Sequence, residues 1–110
     1  MKVTNTRRTE KAIIDLYYCS MKKDDNEKSL VAKTIIETIK SYFEIISIFT
    51  NENHLNIITN LYFTSKNILE VGTRQMANKV FIQERSLLIY RQKYCAVIEK
   101  ILELHDFKLF

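Results

Sequence analysis

The densest chemistry in the chain lies between Thr73 and Lys93. Five cations stand there, Arg74, Lys79, Arg85, Arg91 and Lys93, against the single carboxylate Glu84. The resulting +4 equals the formal net charge of all 110 residues. A local positive surplus attracts anions, and the largest biological anions are nucleic acids. Arg can read guanine bidentately, Gln can read adenine, and Glu can accept from cytosine N4. Gln83, Glu84, Arg85 and Ser86, with Ile89 one turn later, form a set of that kind at the start of a helical pattern. Thr73, Arg74, Lys79, Arg91 and Lys93 are suited to phosphates, which supply affinity without sequence information.

Two helices joined by a short turn must position these residues. A helix-turn-helix needs a small residue where its second helix crosses the first. Ala77 fits that place, with Met76 and Val80 beside it in a core. Ile82, five residues on, plugs the turn, and Leu87, ten residues on, anchors the second helix from below, followed by Tyr90. The second helix then offers its first turn to the major groove. In such turns the position of Phe81 favours Gly, because it often takes a left-handed conformation. The same apolar spacing also serves an ordinary helical bundle.

The rest of the chain reads as helices that brace this pair. There is no Pro and one Gly, Gly72. A sheet protein of this length needs several tight turns, which recruit both residues. The spacing predicts an all-α bundle of four to five helices with a C-terminal helix-turn-helix, folded as a single domain. Residues 1–52 form its bracing or partner-binding helices and 53–110 its helix-turn-helix half. The expected helices cover 6–21, 27–49, 54–64, 73–81 and 84–104. Asp24, Asp25 or Asn26 caps the second and Thr73 the fourth. The second, with Val31, Ile35, Ile39, Tyr42, Ile46 and Phe49 in a broad stripe, is expected to pack on two sides. Ile68, Leu69 and Val71 are expected to tuck into the core.

Other chemistry is thin. His54 and His105 lack metal-ligand spacing with each other or with Cys19 and Cys95. The histidines are expected to be surface or part-buried residues. No Ser, His and carboxylate grouping and no Gly-rich phosphate loop stands out, so the reading is non-enzymatic, with neither metal nor cofactor. Helical spacing makes core packing the better account of most of the six Tyr and six Phe. No apolar run approaches the roughly 20 residues that span a bilayer. The polar N-terminus and two cysteines fit a cytoplasmic protein with reduced thiols.

The pattern Met76-Ala77-x-x-x-x-Ile82-x-x-x-x-Leu87-x-x-Tyr90-Arg91-x-Lys93 resembles the C-terminal helix-turn-helix of phage-encoded ArpU/RinA transcriptional regulators. These in turn look like the promoter-reading fourth region of sigma factors. The opening Arg7-Arg8-Thr9-Glu10-Lys11-Ala12-Ile13-Ile14-Asp15-Leu16-Tyr17-Tyr18 is similar to that family's first helix. The likeness covers most of the chain in layout and is specific over 73–93, where Phe81 departs from it. It implies sequence-specific binding to double-stranded DNA and control of phage genes, as an activator. By analogy with sigma factors, it extends to a contact with RNA polymerase. A homodimer stays open. The competing class is a helical protein–protein interaction module that docks through its long second helix.

Overall fold

The computed structural model describes residues 6–23 and 26–105. Five helices and no strand occur among them: α1 (Thr6–Ser20), α2 (Glu27–Thr50), α3 (His54–Tyr62), α4 (Ile68–Lys79) and α5 (Glu84–Leu104). The all-α bundle expected from the scarcity of Gly and Pro is the observed architecture.

Asparagine sets most of the boundaries. The Asn26 side chain accepts the Ser29 amide at 2.8 Å and so starts α2; Asp24 and Asp25 lie outside the described residues. Asn51 ends α2 in the left-handed region (φ 56°), where Asn is among the few side chains tolerated. Asn53 accepts the Asn56 amide to open α3. Asn67 accepts two amides, those of Leu69 and Glu70, and opens α4. Such caps satisfy the N–H groups that a first helical turn leaves without partners.

The helical backbone expected from Thr73 does start there, after a non-helical Gly72, but a shorter helical piece from Ile68 precedes it and joins it as α4. The helix begins at Ile68, kinks at Gly72 (φ 81°, ψ 169°) and continues to Lys79. Asn67 provides the cap, and the kink falls on the one residue without a Cβ to oppose it. Of the three side chains expected to tuck into the core here, Ile68 is buried, Val71 is half-buried against it and Leu69 is exposed.

One core joins all five helices, including Ile13 and Leu16 of α1, Ile35, Ile39 and Phe43 of α2, Leu61 and Tyr62 of α3, Met76 of α4, and Leu87 and Ile98 of α5. α1 packs against α2, α3 and α5, and α4 packs against α3 and α5. α2 buries one side only. Its partners α1, α3 and α5 cover Ile36, Ile39 and Phe43, whereas Val31, Tyr42, Ile45, Ile48 and Phe49 are exposed. The expectation that α2 packs on two sides is thus corrected for the described residues. Leu104, in the last turn of α5, is also exposed.

Candidate nucleic-acid interface

The turn between α4 and α5 is built from the end of α4. Phe81 takes a left-handed backbone (φ 60°). The Ile82 amide donates to Ala77 O at 3.1 Å and the Phe81 amide to Asn78 O at 3.3 Å. This pair of reverse bonds is the Schellman stop, which satisfies helix-end carbonyls when the residue after the cap is left-handed. The stop normally takes Gly at that position, and here it takes Phe81, with its side chain 93% exposed. The chain reverses at the departure noted in the sequence, and it adopts the conformation that makes Gly the usual choice.

The reversal seats Ile82, half-buried, beside buried Ala77, Met76 and Val80. Leu87 is fully buried in the same core. α5 therefore begins at Glu84 with Leu87 facing inward and its opposite side turned out. Arg85, Ile89, Gln92 and Lys93 recur on that outer side at three- and four-residue spacing, and all are exposed. Gln83 and Glu84 are exposed, and Ser86 is half-buried. Leu88 is exposed beside them. The sequence reading did not include Leu88 or Gln92, though an outer face counted from Leu87 points to both. No side chain caps α5, so the first N–H groups of the helix are left without a side-chain acceptor.

The cations divide into two groups. Arg74, Lys79, Arg85 and Lys93 are exposed. Arg91 is not: its Nε donates to Glu10 Oε2 at 2.7 Å, its Nη2 to Glu10 Oε1 at 2.6 Å, and its Nη1 to the Thr73 hydroxyl at 3.0 Å. Glu10 is fully buried. Arg91 and Thr73, expected at phosphates, are therefore corrected to an internal clamp. The planar guanidinium fork matches a carboxylate bidentately, and a carboxylate at this depth requires such a partner. The hydrogen bonds that Arg91 donates to Glu10 hold its charge, raising its pKa above the ordinary value.

The clamp belongs to a larger network that the sequence reading missed. The Tyr62 hydroxyl donates to Glu10 Oε2 at 2.6 Å and lies 3.7 Å from Cys95 Sγ. Burial foremost, with Cys95 and Glu10 nearby, pushes the Tyr62 pKa well up. Burial likewise pushes the Cys95 thiol up to about 12. The Thr9 hydroxyl donates to Glu99 at 2.8 Å. Together these bonds tie α1 to α3, to the kink of α4 and to α5. A signal for Glu10 existed: Ile13, Ile14 and Tyr17 follow it at helical spacing, so it stands on the inward face of α1.

His54 departs from its expected place as well. It is buried, with Nδ1 2.7 Å from the Tyr94 hydroxyl and Nε2 3.1 Å from Glu52 Oε2. A ring protonated on Nε2 satisfies both, donating to Glu52 and accepting from Tyr94. The ring also meets Tyr90 edge-on, and Tyr90 stacks with Tyr94. This group fastens α3 to the middle of α5. Cys19 and Cys95 are both unpaired thiols. Among the described residues no cluster of His, Cys, Asp and Glu could hold a metal ion, and no helix is long and apolar enough to cross a membrane.

The chain matches no family model, no curated protein and no solved structure.

Proposed function

We propose that the α4–α5 unit binds double-stranded DNA as a helix-turn-helix, in a regulator of the ArpU/RinA kind. The observation that carries the reading is the Schellman turn at Phe81. It seats Ile82 beside Ala77, buries Leu87, and leaves Arg85, Ile89, Gln92 and Lys93 together on the outer side of α5. In this reading Arg85, with Gln83, Glu84, Ser86 and Ile89, meets base edges in the major groove. Arg74, Lys79 and Lys93 neutralise phosphates, and the uncapped first turn of α5 adds backbone N–H donors for another. Arg91 and Thr73 act one layer deeper by holding α5 to α1 and α4. Control of transcription, and an RNA polymerase contact through the N-terminal helices, follow from the resemblance in residues 7–18 and 76–93.

The test is selection of bound sequences from a random duplex pool, followed by titration of variants on the selected site and on random DNA at several salt concentrations. Arg85→Ala is expected to cost roughly 1–3 kcal/mol on the selected site and to relax preference at one base pair. Lys93→Ala is expected to weaken all duplexes alike and to lower the salt slope by about one unit. Equal losses from both variants on both duplexes reduce Arg85 to a phosphate contact. No loss from either removes α5 from the groove, and the interaction-module reading takes its place.

A further inference from the structure

The outward face of α2 is largely uncharged past Glu27 in its first turn, with Lys33 and Glu37 beside its small residues. Leu30 and Val31 are exposed at one end, and Ile45, Ile48 (75%) and Phe49 (82%) at the other. Between them the face narrows to Thr34, Thr38 and Ser41. The Thr34 hydroxyl donates back to Leu30 O and the Thr38 hydroxyl to Thr34 O. The two threonine hydroxyls therefore satisfy their own donors within the helix. A 24-residue helix extends about 36 Å, so the large–small–large profile spans a surface long enough for another helix to lie along it.

The edge of this face carries Lys33, Glu37, Lys40 and Glu44, spaced by four, three and four residues, which places them on one strip. The signs alternate. Read from the opposite direction, the order is inverted at every position. Laid antiparallel against itself, the strip sets Lys33 opposite Glu44 and Glu37 opposite Lys40, and both pairings share one centre, between Thr38 and Ile39. The same centre brings the Leu30–Val31 end of one copy to the Ile45–Phe49 end of the other, with the small residues at the crossing. In a parallel two-fold pair the strip falls on opposite edges of the interface and meets no part of its own copy.

From this self-complementary pattern we infer that α2 is the interface of a two-fold homodimer, with two copies of the chain packed antiparallel about Thr38. Such an interface is isologous: each patch meets its own copy. It lies on α2, outside the α4–α5 unit, and it forms whether or not that unit meets DNA.

Sedimentation equilibrium of the full chain without DNA tests the inference. The wild type is expected to be a dimer that dissociates on dilution. Ile48→Asp is expected to weaken association by roughly a hundredfold or more, because each interface loses the buried side chain twice. Glu44→Lys is expected to weaken association, and adding Lys33→Glu to it to restore association, since the pair recovers opposite signs in the antiparallel register. Thermal melts followed by circular dichroism check that each variant is folded. A monomeric wild type overturns the inference, as does a dimer indifferent to Ile48→Asp. A monomer whose melting point falls with Ile48→Asp shows the face covered by the chain's own residues and likewise overturns it. A double variant weaker than Glu44→Lys alone overturns the antiparallel arrangement.

Discussion

Phe81 and Arg91 occupy positions where residue type and residue role part company. A left-handed backbone costs an L-residue with a Cβ roughly 1–2 kcal/mol, and Phe81 bears it with a side chain almost wholly in solvent. Phe81→Gly is therefore expected to raise stability by up to about 1 kcal/mol, the strain relief being partly offset by the entropy of an unfolded Gly. Urea unfolding of the variant checks this, and a destabilised variant shows the aromatic ring contributing packing of its own. Arg91 carries the opposite lesson. In a basic stretch it reads as a phosphate ligand, yet it neutralises a carboxylate at full depth. Arg91→Ala leaves Glu10 buried without its counter-charge and is expected to cost about 3–5 kcal/mol. Replacing both residues, as Glu10→Leu with Arg91→Leu, is expected to cost less than the single change, because no charge is then stranded. A comparison of the three melting points tests this pair.

At the scale of elements, periodicity made the helices legible, and local side-chain chemistry decided where they stop. α5 runs from Glu84 to Leu104, the bounds its apolar spacing indicates. The first piece of α4 was less visible, because the signal for its start is one Asn side chain accepting two amides at Asn67, whereas the piece after Gly72 starts at Thr73 as its spacing indicates. Around the turn before α5, Ala77 and Leu87 are buried and Ile82 is half-buried, as their apolar character suggests. What spacing could not separate was burial among like residues. Ile36 and Ile48 look alike in a sequence, and only the packing of α1, α3 and α5 on one side of α2 buries the first and leaves the second exposed. Of the five cations in this stretch, Arg74, Lys79, Arg85 and Lys93 are exposed, whereas Arg91 is held by a partner 81 residues away in sequence, beyond any local pattern.

Across the whole molecule the buried network sets an alkaline limit on stability. The Cys95 thiol has its pKa raised from 9.0 to about 12, and Tyr62 is raised well above its ordinary value. Both groups are held protonated in the folded state. Their contribution is fully present below the unfolded values and is lost as pH climbs towards the folded ones. The melting point is therefore expected to fall as pH rises from about 9 to about 12, and Cys95→Ala is expected to make that fall shallower. A melting point flat across this range contradicts the burial of the pair. The network also joins distant parts of the chain: Glu10 waits on Arg91, Thr9 on Glu99, and the Thr6 carbonyl on Cys95. A ribosome delivers the carboxylate early and its guanidinium 81 residues later. At about 5–20 residues per second that is a delay of roughly 4 to 16 seconds. Until then α1 cannot sink its Glu into a core without stranding a charge, so its docking waits for Arg91, and α5 is the helix that lets α1 in.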